Sequence, residues 1–233
     1  MPAVIGSLLL TAIISYLWGS LPSGYWMGKL QRGKDFDIRD YGSHKIGATN
    51  VLRTLGVGPA IIVLIVDLSK GIGPTLLATF VPLLHANGWG VLVAGVLALL
   101  GHCYPVFIGF KGGRGVLTGG GALLVISPPG FLVSLVVTLS TIGISRYVSL
   151  GSIFGSLTTI ICGIAFYFIG LSNPAFIARV SLPQMLFMII APVLVIIFHY
   201  DNIGRLLAGK ERKIGQKATT PSSTEAKSQP NVQ

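Results

Sequence analysis

The chain has 233 residues, 52% of them hydrophobic and only 10% charged, with a mean hydropathy of +0.77. A soluble domain would carry about a quarter charged residues, so this composition excludes one and leaves an integral membrane protein with a single helical bundle. The net charge of +10 gathers at the ends of apolar runs with no aromatic base-stacking platform, which sets nucleic acid aside as a partner.

The first apolar run covers residues 3–28. No Lys or Arg precedes Lys29, so the basic region of a cleaved signal peptide is missing and a retained span with its N-terminus outside is expected. A polar loop follows, Tyr41-Gly42-Ser43-His44-Lys45-Ile46-Gly47-Ala48-Thr49-Asn50-Val51-Leu52-Arg53. It offers hydroxyls, an amide and a guanidinium able to grip phosphate in bidentate fashion. The plainer reading is a hydrophilic loop with a helix starting at Thr49 or Asn50. The second span, 55–83, contains Asp67 and Lys70 three residues apart, where pairing is the cheapest way to bury both. A structural role is therefore favoured over a catalytic one for this pair.

The third span, 88–110, runs into Gly101-His102-Cys103-Tyr104-Pro105-Val106-Phe107-Ile108-Gly109-Phe110-Lys111-Gly112-Gly113-Arg114-Gly115. Glycines expose backbone N–H groups, and Lys111 and Arg114 add two cations, a combination suited to phosphate. The turn has neither the Walker spacing nor the strand that precedes a dinucleotide fingerprint. At the lip of a bilayer its natural ligand is a phosphorylated compound that is lipid-like or destined to become lipid. The competing reading is a flexible basic loop, with His102 capping or packing a helix end.

A short glycine-rich run at 115–127 is cut by Pro128-Pro129 before 129–145, giving either two helices or one kinked helix. The run 147–171 follows Arg146 and begins with Ser149 near its start. The last run, 182–200, ends in His199-Tyr200-Asp201-Asn202-Ile203-Gly204-Arg205-Leu206-Leu207-Ala208-Gly209-Lys210-Glu211. If the helix continues, His199 and Asn202 share a face; otherwise this is an interfacial helix end with Arg205 snorkelling to headgroups. From about Lys213 the composition is that of a disordered tail. No internal repeat of the inverted-repeat transporter kind is visible. Cys103 and Cys162 have no disulfide or metal spacing and read as packing residues.

The expectation is thus an all-α integral membrane protein of about seven transmembrane helices, one of them short. Residues 1–212 would form the membrane domain and 213–233 a cytoplasmic tail. With the N-terminus outside and the C-terminus inside, the basic clusters all face the cytoplasm.

Taken together, the three motifs resemble those of the bacterial acyl-phosphate-dependent glycerol-3-phosphate acyltransferases, the PlsY family. That family shows Gly-Ser-x-Asn-x-Gly-Ala-Thr-Asn-x-x-Arg, then Gly-His-x-x-Pro-x-Phe-x-x-Phe-Lys-Gly-Gly-Lys-Gly, then His-x-x-Asn-Ile-x-Arg-Leu-x-x-Gly-x-Glu. The resemblance covers the chain except the tail. Two positions depart: Lys45 stands for the usual asparagine, whose role is not transferred to it, and Arg114 for the common lysine.

The resemblance implies transfer of a fatty acyl group from acyl-phosphate to the 1-hydroxyl of sn-glycerol 3-phosphate, giving lysophosphatidate and inorganic phosphate. It implies no cofactor and no metal. It implies a bacterial cytoplasmic (inner) membrane location with the site facing the cytoplasm, and as partners the two substrates, membrane lipid and an enzyme that makes acyl-phosphate. Gly112, Gly113, Arg114 and Gly115 would hold the acyl-phosphate headgroup. Arg53, Lys111, Ser149, His199 and Asn202 would form the glycerol-phosphate site. Ser43 and Arg53 would position the reacting groups, with His199 and Asn202 beside them. Asp67, Lys70 and Glu211 would be structural. The proton acceptor is either His199 or, ranked slightly ahead, the leaving phosphate.

A transporter of phosphorylated solutes is the main alternative. It calls for polar residues along a mid-membrane path, whereas here they gather at one side. A scaffold that merely binds acidic lipids leaves the spaced Ser, Arg, His and Asn unexplained. An acyltransferase using a thioester donor lacks its His-x4-Asp signature.

Overall fold

The computed structural model describes residues 1–216; the tail expected over 213–233 lies outside the described residues beyond that point. Among the described residues there are eleven α-helices and no strand. The first apolar run is broken in two, α1 (Pro2–Gly19) and α2 (Ser23–Arg32). Pro22 supplies no N–H and disfavours helix at Leu21, so one helix ends and another begins there. After the polar loop come α3 (Ala48–Leu55) and α4 (Val57–Phe80). A single turn, α5 (Pro82–His85), then leads into α6 (Trp89–Cys103).

The 115–145 region is two helices, α7 (Val116–Ile126) and α8 (Pro128–Ser145). Ser127 adopts non-helical angles between them, and its hydroxyl caps α8 by accepting from Gly130 N–H. Prolines at the first positions of α8 lose nothing, because those N–H groups have no intrahelical partner. Next come α9 (Val148–Ser172), α10 (Leu182–Ile197) and α11 (Tyr200–Leu207).

Each of the seven apolar runs therefore contains a helix. Among the described residues, five helical segments are long and apolar enough to cross a membrane, or six when the bent pair α10–α11 is taken as one span. At 11 residues, α7 extends about 16 Å at 1.5 Å per residue, short of the roughly 30 Å hydrocarbon core.

The bundle is built as hydrocarbon solvent demands. Large apolar side chains such as Ile61, Ile65, Val136, Leu139 and Phe168 face outward, while hydroxyls such as Thr11, Thr75 and Thr159 are buried and donate to carbonyls one turn back. Reciprocal glycines let backbones touch. A Cβ on Gly71 of α4 would lie 1.9 Å from the Thr118 carbonyl of α7, and one on Gly121 of α7 would lie 2.2 Å from the Leu68 carbonyl of α4. Gly19 of α1 and Gly101 of α6 repeat the device across the neighbouring pair. These contacts bring the three polar motifs to one end of the bundle.

Candidate active site

Asn50 organises the first motif. Its amide oxygen accepts from Ser43 N–H at 2.9 Å, and its amide nitrogen reaches the carbonyls of Ile38, Tyr41 and Lys45 at 3.1, 3.0 and 2.8 Å. The side chain is fully enclosed, so it ties the loop to the start of α3 from within. That helix begins at Ala48 behind a Gly47 cap, earlier than the expected Thr49 or Asn50. Ser43 is thereby held by its backbone, and the residue is half-buried. Arg39 is fixed by Asp37 at 2.6 Å and by the Ile108 carbonyl at 2.9 Å, joining this loop to the second motif.

In the glycine turn, the N–H groups of Gly112 and Gly113 do not face outward as the sequence suggested. They donate to the Cys103 and His102 carbonyls, each at 3.1 Å, and finish the end of α6. Glycine is required for close approach instead: a Cβ at Gly112 would sit 2.1 Å from the His102 carbonyl, and one at Gly113 would sit 2.0 Å from His102 Nε2. Gly115 has φ +80° and caps α7. The groups left for an anion are Lys111, which is exposed, Arg114, and the first-turn N–H groups of α7, which helix geometry leaves without partners.

The third motif does not continue α10. The chain bends by 56°, and His199 stands before the first turn of α11. Its Nδ1 lies 2.7 Å from the Val195 carbonyl. A carbonyl only accepts, so Nδ1 carries the hydrogen and Nε2 has the lone pair. His199 and Asn202 are both buried. Asn202 donates to Glu211 Oε1 at 2.7 Å, Ser149 donates to the same oxygen at 2.9 Å, and Arg205 holds Oε2 at 2.7 Å. Ser149, expected among substrate contacts, is thus engaged by Glu211. Burial alone would raise the Glu211 carboxyl, but the bonds from Arg205, Asn202 and Ser149 outweigh it and hold the group below the usual carboxylate range.

Asp67 and Lys70 lie apart from this network, packed inside the bundle. Lys70 Nζ and Ser23 Oγ both reach Asp67 Oδ1 at 2.6 Å, and His102 Nδ1 stands 3.7 Å from the same oxygen. The Thr118 hydroxyl donates to the Asp67 carbonyl at 3.0 Å. The cluster joins α2, α4, α6 and α7 directly beneath the glycine turn.

The electrostatic imbalance lies where the three motifs meet. Arg53 feels the charges of Glu211, Arg212 and Arg205, and Arg114 those of Arg205, Glu211, Asp201 and Arg53. Desolvation pushes the pKa of Arg53 and of Arg114 down. Arg53 Nε, Arg114 Nε and Arg212 Nη1 are all buried with no acceptor among the described residues. Buried guanidinium donors left unpaired are costly, and an oxyanion would satisfy them. A cavity of about 760 Å³ opens between the first two motifs, lined by Asp37, Asp40, His44, Lys45, Lys111 and Tyr200 among others. Lys45, the odd residue of the first motif, therefore contributes a cation to this cavity.

Sequence reasoning passed over Asn50 as an organiser and over Arg205 and Arg212 as part of the charge cluster. Arg205 stood inside a motif already singled out, whereas Arg212 follows the last motif residue and gave no signal. Among the described residues no group of three His, Cys, Asp or Glu side chains is arranged to hold a metal ion.

The sequence profile described as glycerol-3-phosphate acyltransferase matches residues 9–209. A protein named Glycerol-3-phosphate acyltransferase 3 from Dehalococcoides mccartyi is 39% identical over 224 residues, covering 92% of this chain and 99% of its own. A Glycerol-3-phosphate acyltransferase from Synechococcus sp. is 41% identical over 217 residues, covering 93% and 98%. Among solved structures, PlsY, described as an integral membrane glycerol 3-phosphate acyltransferase, matches in its glycerol 3-phosphate form with a TM-score of 0.75. The identity is 36%, with coverage of 90% of this chain and 96% of that one. Its lysophosphatidic acid form matches with a TM-score of 0.72.

Proposed function

The chain belongs to the glycerol-3-phosphate acyltransferase family, and from that premise we propose the following reaction and site. The protein acylates glycerol 3-phosphate, taking the acyl group from acyl-phosphate and transferring it to the 1-hydroxyl to give lysophosphatidate and inorganic phosphate. The observation that carries this reading is the set of unpaired guanidinium donors on Arg53, Arg114 and Arg212 at the junction of the three motifs. A reaction between two phosphorylated substrates needs such a surplus of cations to hold like charges together.

Acyl-phosphate is a mixed anhydride, so the protein's main task is placement, which can supply roughly 7–11 kcal/mol of a barrier. The headgroup of the donor rests against Arg114 and the first turn of α7. Arg53, Lys111 and Asn202 bind glycerol 3-phosphate, Ser43 stands at the reacting groups, and His199 Nε2 accepts from the attacking hydroxyl. The hydroxyl oxygen adds to the carbonyl carbon, the bond from that carbon to the phosphate oxygen breaks, and the proton ends on the departing phosphate. Glu211 keeps Ser149, Asn202 and Arg205 in register. The active end faces the cytoplasm of a bacterial inner membrane, by the charge asymmetry of the loops.

The test is lysophosphatidate and phosphate formation by purified protein in lipid, given labelled glycerol 3-phosphate with palmitoyl-phosphate, palmitoyl-CoA or acyl carrier protein. Product with palmitoyl-phosphate alone is expected. Product with a thioester would overturn the donor, and no product from folded protein would overturn the reaction.

A further inference from the structure

We propose that Arg212, one residue beyond the last motif, is a substrate-binding residue that grips a terminal phosphate group together with Arg53. The inference rests on the acyl-transfer reading above for the identity of the phosphate, though not for the geometry.

The segment carrying Arg212 is a strap drawn across the active end of the bundle. Lys210 N–H donates to the Arg205 carbonyl at 2.8 Å, and Glu211 is held by Ser149, Asn202 and Arg205. Beyond Arg212, Lys213 Nζ stands 5.6 Å from the Tyr147 ring centre, and Ile214 N–H donates to the Arg146 carbonyl at 2.8 Å. Arg212 is pinned from both sides and is not a wandering surface cation.

Its own backbone carbonyl accepts from Arg53 Nη2 at 3.2 Å. The Arg212 charge opposes that of Arg53. Each of them keeps a buried nitrogen without an acceptor, Nε on Arg53 and Nη1 on Arg212. Glu211, the adjacent carboxylate, already accepts three side-chain bonds. Two like charges held together with unmet donors and a fully engaged carboxylate match a tetrahedral dianion, whose oxygens can take a bond from each fork. Glycerol 3-phosphate and the donor headgroup both present that chemistry.

Any side-chain variant keeps the carbonyl that anchors Arg53, so Arg212→Gln isolates the guanidinium. Steady-state kinetics in lipid should show the KM of one substrate rising roughly tenfold or more, the loss expected for a charge-assisted contact. The kcat should stay within about threefold, and Arg212→Lys should recover part of the loss. A shift in the glycerol 3-phosphate KM assigns the site to the acceptor, and a shift in the palmitoyl-phosphate KM assigns it to the donor. Both KM values within about twofold of the wild type, or a fall in kcat alone, would overturn the proposal. If Arg212→Gln does not fold, Arg212→Lys decides by the same split.

Inorganic phosphate titrated calorimetrically into the wild type and the variant in nanodiscs reads the site without turnover. Binding weakened by the variant upholds Arg212 even if the wild type transfers no acyl group, which would refute the acyl-transfer reading alone. Equal phosphate binding by both proteins overturns the role of Arg212.

Discussion

Because its Nδ1 hydrogen is given to the Val195 carbonyl, His199 offers only Nε2 to a substrate. A neutral imidazole so fixed can orient a hydroxyl by accepting from it, and it can also take the proton outright. Substitution separates the two roles. If the leaving phosphate receives the proton, His199→Gln should keep kcat within about tenfold while raising the KM for glycerol 3-phosphate; general-base removal would instead lower kcat by roughly 10²–10⁴. Steady-state kinetics with palmitoyl-phosphate held saturating distinguishes them.

The same scale shows what the sequence concealed. Ser43, Asn50 and Arg53 look alike in a polar loop. Asn50 is the one whose side chain turns inward to four backbone groups, and only the folded loop reveals that difference. Gly112 and Gly113 stood out for N–H groups turned to an anion, whereas the fold spends those N–H groups on α6 and needs the glycines for close approach to His102.

At the scale of elements, the strap after α11 depends on one carboxylate. Glu211 is held below its ordinary value of 4.5. A carboxyl with a lowered folded pKa stabilises the protein fully above that ordinary value and loses its contribution as pH falls through the lower folded one. Replacing it by Gln should cost about 2 kcal/mol at pH 7. Melting curves recorded from pH 7 down to pH 3 should converge for wild type and Glu211→Gln, and parallel curves would show that Glu211 is not the group responsible.

The helices themselves were readable from apolar runs, because length and composition dictate them in a bilayer. Their breaks were harder. Pro22 cut the first run, and the last run bent by 56° ahead of Tyr200 with no proline at the bend. The bend was invisible to pattern because Phe198 and His199 fit a helix as readily as its end. It is there that His199 turns from a mid-helix residue into the residue preceding α11.

Across the whole molecule, the position of the glycine turn is set by how closely α7 lies on α4. Gly71→Ala would push a methyl group toward the Thr118 carbonyl, and since backbone cannot yield as a side chain can, the helices must separate. A loss of about 1–3 kcal/mol is expected, with a fall in activity as Arg114 moves with the start of α7. Gly58→Ala, in the same helix but with nothing within 4 Å of its Cβ, should leave melting temperature and activity unchanged or slightly improved. Equal effects at the two positions would mean that helix contact does not set the site.

The buried pair in α4 bears on the order in which the protein is made. Asp67 and Lys70 lie near the middle of a 24-residue helix, and each alone would oppose partitioning into lipid by about 2.5–3.5 kcal/mol. They are three residues apart on one helix and bonded to each other at 2.6 Å. The segment therefore carries its own counter-ion when it leaves the ribosome, before His102 or Thr118 has been synthesised. Neutralisation precedes assembly, and the later helices close over a charge pair that the nascent chain has already balanced.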